Sequence, residues 1–166
     1  MRLLLTMCGA VAAVASTMAL KPVPRLVWNS SASVPVGLYG VRPDETLNVA
    51  DLVVAMPPER LARVLADRGY LPLGVPLIKH VLARSGQTVC RNGLLISIDG
   101  VEMGAAYEHD THDRPLPAWR GCHLISADEF FLMNRDEPAS LDGRYFGVMP
   151  VRSILGRAVP IWTSQP

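Results

Sequence analysis

Asn92-Gly93-Leu94-Leu95-Ile96-Ser97-Ile98-Asp99-Gly100 is a short apolar run closed at both ends by dipeptides that favour left-handed backbone. Asn-Gly and Asp-Gly suit the tight turns whose hand matches the right-handed twist of paired strands. The stretch therefore predicts a β-hairpin. Similar runs recur on both sides of it, at Leu52 to Met56, Leu77 to Ala83, Phe130 to Met133 and Ile154 to Ile161, each bounded by turn residues. Their spacing predicts antiparallel β-structure. One segment departs from this pattern. From Glu59 to Arg68, Leu61, Val64 and Leu65 form one face of a 3.6-residue period, the other face is charged, and Gly69 supplies a stop, so a single short helix is expected. Glu102 to Arg120 mixes His, Asp, Pro and Tyr without periodicity and reads as a surface excursion.

The chain of 166 residues is long enough for one domain and a short appendage. Its 49% apolar content can fill a core, and its 14 Pro and 13 Gly imply many turns. A formal net charge of +1 gives no field for gathering phosphate backbones, and 6% aromatic residues leave few platforms for stacking bases. A nucleic-acid partner is disfavoured on both grounds.

From Leu3 to Leu20 the chain carries no charge; Arg2 precedes this stretch, and Lys21, Pro22 and Pro24 close it. As a helix it would rise roughly 27 Å, close to the thickness of a thin bilayer core. Residues 1–24 are therefore expected to form a transmembrane anchor and linker ahead of an extracytoplasmic domain over 25–166. The rival reading is a cleaved export signal, because Ala13-Val14-Ala15 has small-x-small spacing after an apolar core. Both place the domain outside the cytoplasm, either tethered at the inner membrane or free in the periplasm. Cys90 and Cys122, with 31 residues between them, either pair in that oxidising compartment or remain two buried thiols. Cys8 reads as a small apolar residue. Neither His109 and His112 nor Cys122 and His123 show an established zinc spacing, and no cofactor is expected.

Three segments hold candidate chemistry. Asn29-Ser30-Ser31-Ala32-Ser33-Val34-Pro35-Val36-Gly37-Leu38-Tyr39 places serines before Pro and Gly, which can hold a hydroxyl rigidly or merely form a loop. Lys79 interrupts the apolar run Leu77 to Ala83 and is the only lysine after Lys21. Buried, a lysine can shed its proton and act as a base, which an arginine cannot; turned to solvent, it is an ordinary strand residue. In Phe130 to Gly147, an apolar strand runs into a polar turn in which Asp142 and Arg144 can pair and Ser140 can cap a loop.

In this order, Ser33-x-Pro-x-Gly-Leu-Tyr, Leu77-Ile78-Lys79-His80-Val81-Leu82-Ala83 and Ser140-x-Asp142-x-Arg144-Tyr-Phe-Gly resemble the serine–lysine signal peptidases, with the conjugative transfer (TraF-like) branch the nearest. The resemblance runs from Leu3 to about Trp162. It implies a mostly antiparallel β-fold behind a transmembrane helix, Ser33 as nucleophile and Lys79 as general base. It further implies an oxyanion hole from the Ser31 hydroxyl and the Ser33 N–H, with Ser140 orienting the lysine and Asp142 and Arg144 in support. The implied partner is an exported pre-protein, in this branch a conjugative propilin that can be cyclised, alongside the bilayer and other transfer proteins. Two departures from the general signal peptidases stand out: Leu132-Met133-Asn134 where they have Gly-Asp-Asn, and Ser85-Gly86-Gln87 where they tend to have Pro-Gly-Asp.

Overall fold

The computed structural model describes residues 5–12, 16, 24–43 and 46–164. Their strands form two antiparallel sheets. The larger has the strand order β1 (Leu26–Asn29), β2 (Gly37–Arg42), β11 (Ile154–Thr163), β3 (Leu52–Ala55), β4 (Leu77–Ala83), β9 (Glu129–Leu132) and β10 (Met149–Pro150). The smaller runs β7 (Val101–Ala105), β6 (Leu95–Ile98), β5 (Thr88–Asn92) and β8 (Gly121–Leu124). Val89, Ile96 and Ile98 of the small sheet pack with Ala83, Ile125, Phe131 and Met133 into one core cluster, which joins the sheets through buried apolar area. Two further clusters lie along the large sheet, around Tyr39, Val54 and Ile78, and around Val53, Val81 and Leu132.

The hairpin signals act locally, with one shift. Asp99 and Gly100 both take positive φ, 50° and 82°, and form the two-residue turn between β6 and β7. At the other end Asn92 pairs with Leu95, so Asn92 belongs to the strand and the loop is Gly93-Leu94. Glu102 to Ala105, expected within an irregular excursion, continue as β7 because the Asp99-Gly100 turn delivers them to the edge of β6.

The expected helix forms as α2 (Glu59–Asp67) and buries Leu65. Gly69, at φ 71°, ends it: Gly69 N–H donates to Ala66 O at 2.9 Å and Tyr70 N–H to Leu65 O at 2.8 Å. That reversal delivers Tyr70 and Leu71 to the wall of a cleft. A shorter helix, α3 (Gly143–Phe146), follows Asp142, whose carboxylate caps it by accepting from Arg144 N–H.

The transmembrane helix expected over Leu3 to Leu20 is not found. No helix among the described residues is long and apolar enough to cross a membrane. Residues 5–12 of that stretch are helical (α1). The remainder of that stretch, Ala13-Val14-Ala15 included, lies outside the described residues apart from Ser16. The single-pass inner-membrane placement that followed from this helix is overturned with it.

Cys90 and Cys122 face each other across β5 and β8 and are joined as a disulfide. The link closes a loop of 32 positions that contains β6, β7 and the 106–120 segment. Constraining the unfolded chain by a loop of that size stabilises by roughly 3–4 kcal/mol. Replacing both cysteines with alanine is expected to lower the urea midpoint accordingly; an unchanged midpoint would show that the bond contributes nothing.

Candidate active site

Asn29 and Gly37 pair at the ends of β1 and β2, so residues 30–36 form the loop between the two strands. Gly37 is required there: a Cβ would lie 2.2 Å from the Trp162 carbonyl oxygen of β11. The loop is pinned from several sides. Val34 is buried, Tyr39 Oη donates to Pro35 O at 2.7 Å, and Asn29 Nδ2 donates to the carbonyls of Ser31, Val34 and Pro35 at 2.8, 3.0 and 3.1 Å. Across the sheet, Asn134 Nδ2 donates to Ser33 O at 2.7 Å. Ser33 is thereby held by its own backbone against the end of β9, with its Oγ 3.0 Å from Ser31 Oγ.

Lys79 lies in β4, 3% exposed, and its Nζ donates to Ser140 Oγ at 2.7 Å. Burial drives its pKa down from 10.5 to about 8 because water no longer solvates the ammonium. Asp142 and Glu137 pull the other way, while Arg144 adds to the depression.

Behind Ser140 the polar support is entirely buried. Asp142 Oδ1 accepts from Arg144 Nε at 2.9 Å, and its Oδ2 accepts from Arg144 Nη2 at 2.9 Å and Asn134 N–H at 3.0 Å. Arg144 Nη2 also donates to the carbonyls of Asn134, Glu137 and Ser140. One planar guanidinium thus ties together the turn from Asn134 to Ser140 and fixes where the Ser140 hydroxyl sits. Outer contacts hold α3 in place: Trp119 Nε1 donates to Gly143 O at 2.9 Å, Arg91 donates to Arg144 O, and Tyr107 N–H donates to Tyr145 Oη at 3.0 Å. The 106–120 segment, so irregular in sequence, is a brace for the site and part of its wall.

Ser31, Ser33, Lys79 and Ser140 all border one cleft of about 500 Å³, walled by apolar and aromatic groups including Leu65, Tyr70, Leu71, Tyr107 and Leu116. Ser33 and Lys79 are each hydrogen-bonded to a serine, Ser33 to Ser31 and Lys79 to Ser140. No hydrogen bond joins Ser33 directly to Lys79. Asp142 and Arg144 do not line the cleft and act on it through residues that do, Ser140 and Glu137 among them; Cys90 and Cys122 lie away from it on the small sheet. Among the described residues, no three or more His, Cys, Asp or Glu side chains are grouped to hold a metal ion.

Two residues of the site carried no assigned role in the sequence reading. Asn134 stood out only as the end of a strand, yet it bonds Ser33 O and also accepts from His80 N–H at 3.0 Å, bridging β4 to the serine loop. Asn29 opens the serine loop, and an Asn before a Ser-rich turn is a recognisable signal for side-chain bonding to nearby backbone.

A serine loop, a buried lysine and a buried Asp–Arg support around one cleft match the order of the three sequence segments. The family model for signal peptidase, peptidase S26, matches residues 1–163. The chain belongs to this signal peptidase family. Among curated relatives, "Probable conjugal transfer protein TraF" of Sinorhizobium fredii is 36% identical over 148 residues, covering 83% of this chain and 77% of that protein. "Conjugal transfer protein TraF" of Agrobacterium fabrum is 32% identical over 150 residues, covering 83% of this chain and 82% of that protein. "Probable signal peptidase I-1" of a Synechocystis species is 32% identical over 111 residues, covering 67% of this chain and 52% of that protein. Peptidase S26 membership makes peptidase chemistry the frame in which this cleft is read.

Proposed function

We propose that this member of the signal peptidase family is a serine endopeptidase that cleaves presequences from exported proteins, with Ser33 as nucleophile and Lys79 as general base. The observation that carries the reading is a buried lysine of lowered pKa on the same cleft as Ser33, hydrogen-bonded to Ser140 and to no carboxylate. A lysine so placed, with no ion-pair partner to keep it charged, sheds its proton more readily than a solvated lysine and becomes a neutral amine above about 8.

The reaction follows from the groups. Neutral Lys79 takes the Ser33 proton as Oγ attacks the peptide carbonyl, and the Ser33 N–H and Ser31 hydroxyl hold the developing oxyanion. Collapse breaks the C–N bond, and the Lys79 ammonium returns the proton to the leaving amine. Water then attacks the acyl ester and gives a proton to Lys79, the ester C–O bond breaks, the Lys79 ammonium returns that proton to Ser33 Oγ, and the new acid departs as its carboxylate. Ser140 keeps the amine in position throughout, and the buried Asp142–Arg144 pair keeps Ser140 in place.

The pH dependence tests this directly. Below about 8 Lys79 carries a proton, so kcat/KM is expected to rise about tenfold per pH unit and to level off above about 8. Stability should move in the same direction, because the folded pKa lies below the unfolded value. Below about 8 both states hold the proton and the fold bears the cost of a buried ammonium. Between about 8 and 10.5 the native state sheds it first, so stability rises with pH across that window. Denaturant unfolding of wild type and Lys79→Met at pH 7 and 10 separates this contribution. A flat activity profile from pH 6 to 9 would reject Lys79 as the base.

A second reading narrows the client to a conjugative propilin, favoured by the two TraF relatives. Attack on the acyl ester by an amine, in place of water, would then form a new peptide bond. Coexpression with a propilin and, separately, with an unrelated secretory pre-protein distinguishes a dedicated processing enzyme from a general signal peptidase. A product one water lighter than the processed linear chain reports cyclisation.

A further inference from the structure

Asn29 touches the reactive loop through both ends of its amide, and the two ends do different work. Nδ2 faces three carbonyl oxygens, those of Ser31, Val34 and Pro35. Oδ1 faces two donors, Ser31 N–H at 3.2 Å and Ser31 Oγ at 2.9 Å. The amide orientation is therefore settled by its surroundings, since the flipped form would set its oxygen against three acceptors.

The consequence runs through one proton at a time. Oδ1 can only accept, so the single hydroxyl proton of Ser31 points to Asn29. Ser31 Oγ then offers only lone pairs to Ser33 Oγ, 3.0 Å away, which makes Ser33 the donor in that contact. In the resting site the proton that Ser33 must surrender is engaged by Ser31.

We infer that Asn29 is a positioning residue that sets the direction of the Ser31 hydroxyl and, through it, holds the Ser33 hydroxyl parked until substrate arrives. This rests on the reading of Ser33 as nucleophile. When a substrate carbonyl enters, the Ser31 hydroxyl turns from Asn29 to the developing oxyanion. Ser33 then turns its proton to Lys79. Asn29 keeps Ser31 Oγ at the place from which that single rotation reaches the oxyanion, so its role is realised in the transition state and belongs in kcat. Asn29 is buried and half the loop's polar contacts run through it, but a purely architectural role would appear in stability and KM.

The test is a double-mutant cycle on the full chain, with a pre-protein or a peptide spanning its cut site as substrate. Asn29→Ala is expected to lower kcat about 10- to 100-fold with KM within about twofold. The bound is set by the ~10²–10³-fold loss typical of removing an oxyanion donor itself. In the Ser31→Ala background the same substitution should cost almost nothing further, because the group that Asn29 directs is gone. Asn29→Asp, which keeps the acceptor and drops the amide N–H donors, is run through the same cycle; its kcat loss should likewise vanish with Ser31→Ala. Losses that multiply instead, a wild-type kcat for Asn29→Ala, or failure of both Asn29 variants to fold would overturn the proposal by making Asn29 architectural. Ser33→Ala is measured alongside: cleavage persisting there rejects the nucleophile, whereas an inactive Ser33→Ala with multiplicative Asn29 losses rejects only Asn29.

Discussion

Ser33→Ala and Lys79→Ala are each expected to lower kcat/KM at least ~10³-fold, and the double variant should fall no further than the worse single change, because the members of a catalytic unit fail together. Each removal abolishes acyl transfer outright: without Ser33 Oγ no ester forms, and without the Lys79 amine nothing accepts its proton. Lys79→Arg should be as inactive as Lys79→Ala. A guanidinium cannot be deprotonated in a protein, so charge and length are kept while the base is lost. Product mass after incubation with a pre-protein reads all four. Retention of wild-type cleavage by either single variant would remove the dyad and leave the cleft without an assigned reaction.

Asp142→Ala is expected to destabilise the fold by about 3–5 kcal/mol, the cost of leaving a buried charge without its partner. Asp142 and Arg144 are 0% and 1% exposed, and the carboxylate accepts from Arg144 N–H, Nε and Nη2 and from Asn134 N–H. The cap of α3 goes with them. The midpoint of urea unfolding measures the loss; a change below about 1 kcal/mol would show that the pair is dispensable. Asp142→Asn keeps the shape and removes the charge, which isolates a second effect. Asp142 raises the pKa of Lys79, so in that variant the acid limb of the activity profile should move to lower pH.

Local patterns were legible wherever the residues that set a conformation are neighbours in sequence. The Glu59 to Arg68 periodicity anticipated α2 to within one residue at its end, and Gly69 was visible as its stop. The Asp99-Gly100 turn was equally local. Strands β1, β2, β5, β8 and β10 escaped notice: β8 is exposed throughout and β1 buried only at its end, so no buried face imposes alternation there, whereas β2 and β5 do alternate but in runs mixed with Gly, Arg, Thr and Asn. An uncharged stretch near the N-terminus satisfied the length rule for a membrane span, but no helix among the described residues is long and apolar enough to cross a membrane.

The sequence alone determined which residue types stood ready for acyl transfer, a hydroxyl in a Pro- and Gly-framed loop and a lone lysine in an apolar run, and their order along the chain. Tertiary structure decided the rest. Ser33 and Asn134 are 101 positions apart, and Lys79 and Ser140 are 61 apart, yet each pair is joined by one hydrogen bond of 2.7 Å. Periodicity reports which face of an element is buried and is silent about what meets it there. Whether a lysine amine is desolvated, and which hydroxyl receives its proton, depend on groups that only the pairing of β4 with β9 and the packing of α3 bring within reach.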